Sequence, residues 1–522
     1  MSVERLSRRE FLRSLGLVGG AVLVAACAPA SQPEAATKAP EPTKAAPPAA
    51  TDTPAPDANA TATAAADAKA TEAAIARSAR EAEDAKVLDL SQEQYLAKAG
   101  EDKKAAESAG KTTVEMLSAF GTIIEDKTQP HYWIIKKFME QNPKIFVQYS
   151  PSSAYTGAFN EVIMMRIASG DPPDCIYHYS SPIAYAARGT CLQIDDMMDA
   201  HPVANKAAFF ETALAQCQWA GKTWGIPLNG SPCTMWYNTE ILQANGLPVE
   251  RGSLPKTLDD LKAMSAKLTK WEGDKLVLAG ANPWSQSWAW PGQMVANGGK
   301  IWDGVKYSIN DPKNADLISY WIKWLDEQYK GDIDLLNKQG SLSGAYPENA
   351  FGMKLQAIAT DGLWAMTHTP PEIKYEVAKM PVAPGGTKTA TSNWPNLMFV
   401  PKGAKHPKEG FELSAYFATE GQYEWWDRWA DVPVWKKFPE DRAPKDLISR
   451  VGQAKAVELT KFTRSCLPDI VIQWNSPVDD FATDEIFRAV DEALHKKKSP
   501  QEVLDTAQEL VTAKLAEVVG GK

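Results

Sequence analysis

The chain lacks the residue patterns that most enzyme centres need. Its 522 residues include only six cysteines and six histidines, and the histidines are isolated from one another. No H-E-x-x-H, C-x-x-C or G-x-S-x-G motif occurs, which excludes the common zinc, redox and serine-hydrolase signatures. The stretch Gly110-Lys111-Thr112 resembles a P-loop, but position 105 is alanine where that pattern needs glycine. No catalytic residue, cofactor or metal site is therefore predicted.

Excess positive charge and long apolar runs are also missing. The 56 Lys and Arg residues are outnumbered by 65 Asp and Glu residues, which gives a net charge of -9. Nucleic-acid binding needs a basic face, so no nucleic-acid partner is expected. No apolar run after residue 26 approaches the ~20 residues that span a bilayer. A chain of this length exceeds one hydrophobic core, which predicts two or more folded units.

The first 26 residues have the pattern of an export signal. Residues 7–13 read S-R-R-E-F-L-R, which is typical of a twin-arginine signal, and a short apolar run over 15–26 follows. Residues 24–27 read V-A-A-C, as in a lipobox. We therefore predict cleavage before Cys27 and lipidation of Cys27. A bacterial lipoprotein carries several acyl chains, which anchor stably, so an extracytoplasmic protein held on the outer face of the cytoplasmic membrane is expected.

Two segments separate this anchor from the folded part. Residues 27–71 are nearly all Ala, Pro, Thr and acidic residues, a composition that cannot bury enough apolar surface to fold and predicts a spacer. Residues 72–111 are rich in Ala and charge, and predict either a helix or a disordered segment. Once Cys27 is lipidated, five thiols remain, and an odd number cannot all pair. Buried free thiols are favoured, although export also permits disulfides.

From residue 112 the pattern is that of an α/β fold. Residues 114–120 alternate as a strand does, an amphipathic helix follows Pro130, and a second strand is predicted over 145–149. Another helix and a short strand come next, so strands and helices alternate. This order predicts a parallel sheet with right-handed crossovers. Capping boxes at Thr257 and Ser499 mark the starts of two further helices.

A series of short motifs then appears in a recognisable order. They read N-P at 142–143, A-S-G-D-P-P-D at 168–174, A-A-R-G at 186–189, G-K-T-W-G-I-P at 221–227, W-Y-N at 236–238, G-L-P at 246–248, G-G-K-I-W at 298–302, A-T-D-G-L-W at 359–364 and M-P-V-A-P at 380–384. Each is weak alone, but the ordered set resembles extracellular solute-binding protein family 1. This is the maltose-binding-like group of ABC-importer receptors. The resemblance covers about residues 112–522.

The resemblance implies a two-lobe fold of the type II periplasmic-binding-protein kind, with interleaved lobes and a ligand cleft between them. Lobe 1 is predicted over 112–232 and 396–432, and lobe 2 over 233–395 and 433–522. The chain is expected to cross between lobes near residues 231–235, 394–398 and 430–434. The implied partners are the permease subunits of an ABC transporter, and a monomer is expected.

The chain has 18 Trp, against 15 Tyr and 15 Phe, and this excess points to a carbohydrate ligand. An aromatic face removes the C–H face of a sugar from water, and polar side chains pair with its hydroxyls. Positions that follow first-lobe strands, flank the crossings, or lie in a Trp-rich loop-like run are the candidates. They are Phe120, Tyr155, Tyr177, Tyr179, Trp236, Trp284, Trp288, Trp290, Asp361, Trp364 and Trp394. For each Trp a core position is the alternative, and Asp361 is equally suited to stabilising a turn before Gly362.

The sequence thus predicts a lipid-anchored receptor that captures an oligosaccharide or polyol without catalysis. One alternative is a lipid-anchored carbohydrate-active enzyme, since paired acids occur at 195–196, 259–260 and 479–480 and glycoside hydrolysis uses two carboxyl groups. Helix-start or surface roles are favoured for these pairs. Another alternative is a receptor for a non-sugar solute, such as a glycerophosphodiester or a peptide.

Overall fold

The computed structural model describes residues 84–152, 157–338, 349–471 and 475–520. The predicted signal peptide, Cys27, the spacer and Tyr155 lie outside these ranges. The segment predicted over 72–111 is helical where it is described, over residues 84–88 and in helix α1 (Gln92–Ser108). The cap of α1 is a capping box, in which the Ser91 and Gln94 side chains each bond the other's backbone.

The remaining helices follow in chain order. They are α2 His131–Gln141, α3 Gly157–Ala168, α4 Ile183–Ala187, α5 Asp195–Ala200, α6 Glu211–Ala215, α7 Thr239–Ala244, α8 Leu258–Leu268, α9 Trp290–Ala296, α10 Pro312–Tyr329, α11 Ile333–Lys338, α12 Ala365–His368, α13 Pro407–Ala418, α14 Gln422–Arg428, α15 Lys445–Val451, α16 Gln453–Ser465, α17 Asp479–Leu494 and α18 Pro500–Gly520. Short 3-10 turns lie at Lys206–Ala208, Arg251–Ser253, Ser287–Ala289 and Leu467–Asp469.

The strands form two main sheets and one small hairpin. They are β1 Thr112–Ser118, β2 Ile145–Pro151, β3 Cys175–His178, β4 Gln218–Trp219, β5 Lys222–Thr223, β6 Ile226–Pro232, β7 Thr234–Asn238, β8 Lys270–Glu272, β9 Lys275–Ala281, β10 Gln356–Asp361, β11 Tyr375–Lys379, β12 Asn393–Phe399 and β13 Val432–Pro433. Strands β4 and β5 make the hairpin.

The first sheet contains six strands among the described residues, in the order β13-β6-β12-β3-β1-β2. Strand β1 pairs in parallel with both β2 and β3, and helices α2 and α3 connect them. The predicted parallel sheet with helical crossovers is thereby confirmed. The later strands β12, β6 and β13 extend this sheet. Each is antiparallel to the strand beside it, since β12 pairs with β3, β6 with β12, and β13 with β6. We call this sheet and the helices packed on it lobe 1.

The second sheet has the order β11-β7-β10-β9-β8 within the described residues. Its apolar side chains share a core with helices α8, α10, α17 and α18. Two of these helices begin at the predicted caps, since the Thr257 hydroxyl accepts from Asp260 N at 3.1 Å and the Ser499 hydroxyl accepts from Glu502 N at 3.4 Å. We call this sheet and its helices lobe 2.

The chain passes between the sheets with little intervening sequence. Strand β6 ends in the first sheet at Pro232, and β7 starts in the second sheet at Thr234. Residues 443–470, predicted to belong to lobe 2, contribute apolar side chains to the same cluster as the first sheet. The lobe boundaries given above stay a prediction. Among the described helices, none is long and apolar enough to cross a membrane.

A candidate ligand site between the lobes

Five aromatic rings form a continuous row from lobe 1 to lobe 2. Phe120 contacts Tyr179 with 5.0 Å between ring centroids, and Tyr179 lies 5.9 Å from Trp394. Trp394 in turn lies 6.0 Å from Trp288, which is 5.4 Å from Trp364. We call these five residues the interlobe aromatic row. All five were candidates from the sequence, and the structure brings them together.

The fold explains why these rings meet. Phe120 and Tyr179 follow the carboxyl ends of β1 and β3, which are neighbours in the first sheet. Ligands of α/β folds bind outside such strand ends. Trp394 lies on β12, beside the point where the chain leaves lobe 2. The other two rings come from loops of lobe 2, after β9 and β10.

The rings differ in how much surface they leave accessible. Phe120 is 8% exposed and Trp288 is 7% exposed, whereas Tyr179, Trp364 and Trp394 are half-buried. A half-buried aromatic ring offers an apolar face beside a polar edge. Those three rings are therefore the ones that can lie against the C–H face of a sugar.

A tight turn after β10 holds Trp364 in the row. The Ser231 hydroxyl accepts hydrogen bonds from the backbone N–H groups of Leu363 at 2.7 Å and Trp364 at 3.4 Å. The Asp361 carboxylate accepts from Gly362 N at 2.7 Å, and Asp361 is 1% exposed. Asp361 thus has the turn-stabilising contact that was its alternative role, and its contact with a ligand hydroxyl stays a prediction.

Four other candidates are buried in the core rather than placed in the row. Tyr177 is fully buried, stacks on Phe120 at 5.0 Å and donates a hydrogen bond to Asn396. Trp236, Trp284 and Trp290 are 1%, 2% and 7% exposed and pack within apolar clusters. The core alternative therefore fits these three tryptophans.

A pocket of about 290 Å³ lies where α17 of lobe 2 meets α3 and α4 of lobe 1. We call it the carboxylate pocket, and its lining includes Asn160, Tyr185, Arg188, Asp479 and Asp480. The Asn160 amide donates to the Asp480 carboxylate at 2.5 Å across the two lobes. The pocket lies close to the aromatic row, because Asp480 also bonds the side chain of Ser180, the residue after Tyr179.

The sequence did not predict that this acidic pair lines a pocket between the lobes. Both acids begin α17, as predicted, but the surface role considered for them is wrong because Asp479 is 1% exposed and Asp480 is half-buried. Burial raises the pKa of Asp479 well above its ordinary value, and the Asp480 charge raises it further. Burial also raises the pKa of Asp480, although hydrogen bonds from Ser180 and Asn160 oppose that rise.

Neither a metal centre nor a disulfide is found in the part of the chain that the structure describes. No group of three or more His, Cys, Asp or Glu residues there is arranged to hold a metal ion. The five thiols after Cys27 are all buried and unpaired, as the sequence favoured. They are Cys175, Cys191, Cys217, Cys233 and Cys466.

Comparison with known proteins agrees with this architecture. The family model described as bacterial extracellular solute-binding protein matches residues 121–424, more than half of the chain. An ABC transporter extracellular-binding protein of Pyrococcus horikoshii is 23% identical over 387 residues, covering 70% of this chain and 84% of the relative. A second such protein of the same organism is 21% identical over 347 residues, covering 65% of this chain and 74% of the relative.

Solved structures share the fold over nearly their whole length. CpMnBP1 with mannotriose bound has a TM-score of 0.62 and 19% identity, covering 76% of this chain and 99% of that one. The maltose/maltodextrin-binding domain MalE from Bdellovibrio bacteriovorus, bound to maltotriose, has a TM-score of 0.59 and 15% identity, covering 77% and 100%. The chain belongs to the family of bacterial extracellular solute-binding proteins, and its two lobes form the type II fold of periplasmic binding proteins.

Proposed function

We propose that this protein captures an oligosaccharide between its lobes and delivers it to the permease of an ABC transporter. The interlobe aromatic row is the observation that carries this proposal. Its rings come from both lobes, and the three half-buried ones, Tyr179, Trp364 and Trp394, leave apolar faces accessible, which is the chemistry that sugar C–H faces need. The solved structures with this fold that are named above hold mannotriose and maltotriose, which makes neutral oligosaccharides the first ligands to test.

Titration calorimetry of the purified protein with mannotriose, maltotriose and a wider oligosaccharide panel tests this assignment. We expect saturable heat with at least one oligosaccharide and a matching rise in the unfolding temperature. A glycerophosphodiester and a peptide mixture serve as the non-sugar arm. Heat from that arm alone would overturn the sugar assignment. A reducing-sugar assay on the same mixtures separates a receptor from an enzyme, and no new reducing ends are expected.

The Trp394→Ala variant tests whether the row is the contact surface. Removing an indole face that covers about 80 Å² of sugar surface costs about 2 kcal/mol at about 25 cal/mol per Å², or roughly 30-fold in affinity. Trp271→Phe is the matched control, because Trp271 packs under Lys330 on lobe 2, away from the row. Equal affinity of the Trp394→Ala variant and the wild type would remove the row from the site.

We also propose that lipid on Cys27 anchors the protein outside the cytoplasmic membrane. The support is the twin-arginine pattern followed by V-A-A-C at residues 24–27. Fractionation of cells expressing Cys27→Ser is expected to move the protein from the membrane to the soluble extracytoplasmic fraction. Replacing Arg8 and Arg9 by lysine is expected to retain it in the cytoplasm. Unchanged membrane recovery of the cysteine variant would refute lipid anchoring.

A further inference from the structure

Helix α1 contacts the loop that follows strand β1. The Thr122 hydroxyl donates a hydrogen bond to the side-chain oxygen of Gln92 at 2.7 Å, and Gln92 is the first residue of α1. Thr122 is 0% exposed, so its hydroxyl depends on this partner rather than on water. Helix α1 lies outside residues 121–424, which the family model matches. A segment outside the family match therefore supports a loop that begins beside Phe120.

Thr122 also organises the hydrogen bonds within this loop. Its backbone N–H donates to the Glu125 carboxylate, and its carbonyl oxygen accepts from Glu125 N at 3.1 Å and from Asp126 N at 3.2 Å. The Asp126 carboxylate accepts from the backbone N–H of Thr128 at 2.9 Å and from its hydroxyl at 2.7 Å. Residues 122–128, which we call the Thr122 loop, are therefore held together as one unit.

The Thr122 loop forms one wall of a pocket at the ligand site. The Thr128 hydroxyl accepts from Trp429 Nε1 at 3.0 Å, and both residues line a pocket of about 370 Å³. Trp429 is half-buried, and its ring centroid lies 4.9 Å from that of Phe120, at one end of the aromatic row. His368 also lines the pocket, and its Nδ1 lies 2.8 Å from the carbonyl oxygen of Trp364, at the other end. The pocket thus adjoins both ends of the row.

Loss of the Gln92 acceptor has a direct consequence for this wall. The Tyr149 hydroxyl donates to the carbonyl oxygen of Gly121 at 2.9 Å, which fixes the backbone before Thr122 but not the Thr122 side chain. A buried hydroxyl without an acceptor is unfavourable, so Thr122 would move toward another partner. That movement would carry the rest of the loop with it and displace the wall of the pocket.

We propose that Gln92 is a positioning residue of the ligand site. Its bond to Thr122 fixes the loop that orients Thr128 and the Trp429 indole, and this indole offers the ligand a further aromatic face. The inference rests on the proposed function, because it assigns one part of the oligosaccharide to the pocket beside Trp429. Helix α1 is in this way part of the binding apparatus.

Affinity measurements on Gln92→Leu and Gln92→Glu test this role, with mannotriose and maltotriose as probes. Leucine removes the acceptor at similar size, whereas glutamate keeps an acceptor oxygen at the same reach. We expect an affinity loss of about 3- to 10-fold for the leucine variant and a value within about twofold of the wild type for the glutamate variant. Lys98→Met is the matched control, because it breaks the exposed Lys98–Asp102 pair of 2.8 Å further along the same helix. It is expected to bind as the wild type does.

Thr122→Val and the double variant with Gln92→Leu complete a double-mutant cycle. The valine variant is nearly isosteric and removes the donor of the same bond, so it tests the inference even where the leucine variant does not fold. We expect the double variant to lose no more affinity than the weaker-binding single variant, because both remove one interaction.

A bond that serves stability alone would lower the urea midpoint of unfolding and leave the affinity unchanged. Wild-type affinity in both Gln92→Leu and Thr122→Val would therefore overturn the inference and leave the proposed function standing, and so would strictly additive losses in the double variant. Failure of the wild type to bind any oligosaccharide would instead overturn the proposed function, and the inference with it.

Discussion

The indole ring of Trp364 lies directly over Gly362. A Cβ atom built on Gly362 would stand 2.3 Å from the ring, closer than van der Waals contact allows. The backbone torsion of Gly362 is one that other residues adopt, so the glycine is required by space rather than by conformation. This contact lets the ring fold back onto the turn and reach Trp288 at 5.4 Å.

Replacing Gly362 by alanine is therefore predicted to displace the Trp364 ring and weaken ligand binding. The new methyl group pushes the ring out of contact with Trp288, which removes one face of the aromatic row. We expect a 5- to 30-fold loss of oligosaccharide affinity, equivalent to about 1–2 kcal/mol. Titration calorimetry measures the loss, and tryptophan fluorescence reports the change in ring environment.

Gly252→Ala is the control for this substitution. A Cβ atom at Gly252 meets nothing within 4 Å, and its backbone does not have a positive φ. This variant is expected to match the wild type in both affinity and unfolding temperature. If Gly362→Ala also kept wild-type affinity, the position of the Trp364 ring would be irrelevant to binding.

Gly280→Ala is predicted to destabilise lobe 2 without altering its ligand contacts. A Cβ atom on Gly280 would lie 2.2 Å from the carbonyl oxygen of Ser265, where strand β9 packs against helix α8. The adjacent Ala281 N–H donates to the Ser265 hydroxyl at 2.9 Å, so the strand cannot retreat without breaking that bond. Overpacking of this kind costs about 1–3 kcal/mol, to be measured by urea unfolding. Unfolding at the wild-type urea midpoint would contradict the predicted clash.

The sequence predicted the fold well because its signals are local. Strand β1, the cap at Thr257 and the capping box at Ser499 each depend on neighbouring residues. Both caps are found where expected, and the strand predicted over 114–120 is found at Thr112–Ser118. The aromatic row was also accessible to sequence reasoning, since strand ends and crossings place Phe120 and Trp394 near the cleft. These cues depend on the order of elements rather than on distant contacts.

Core tryptophans and the carboxylate pocket were not predictable in the same way. Trp236 and Trp284 share the residue type and the sequence surroundings of the row, and only packing separates them from it. The Asp480–Asn160 bond joins residues 320 positions apart. An acidic helix start in one lobe becomes buried because a helix of the other lobe covers it, and no local pattern encodes that meeting.

The five described thiols are predicted to resist modification in the native protein. Burial raises the pKa of each above its ordinary value, to about 12 for Cys466, so thiolate is scarce at neutral pH. Reagent access is also blocked because all five are buried. Mass spectrometry after treatment with a thiol reagent is expected to find them unlabelled natively and labelled in denaturant. Native labelling within minutes would contradict the burial of these side chains.

His131 is a buried histidine surrounded by aromatic rings. It is 0% exposed, its ring centroid lies 4.7 Å from both Phe120 and Tyr177 and 5.1 Å from Trp425, and neither of its nitrogens has a hydrogen-bond partner among the described residues. Burial lowers the pKa of His131 to about 3, because the protonated ring would lose water without gaining a partner.

This histidine is predicted to make the fold acid-sensitive. In the unfolded chain His131 takes up a proton below about pH 6.5, whereas in the folded chain it stays neutral until about pH 3. Above pH 6.5 His131 therefore leaves the free energy of unfolding unchanged. As the pH falls, protonation of His131 in the unfolded chain lowers that free energy, by about 2–3 kcal/mol at pH 4.5. Urea unfolding at a series of pH values is expected to show a shallower acid loss for His131→Phe than for the wild type. At pH 7.5 the ring is neutral in both states, so the difference between the two proteins there reports packing alone. Parallel acid profiles for the variant and the wild type would mean that His131 does not contribute to acid destabilisation.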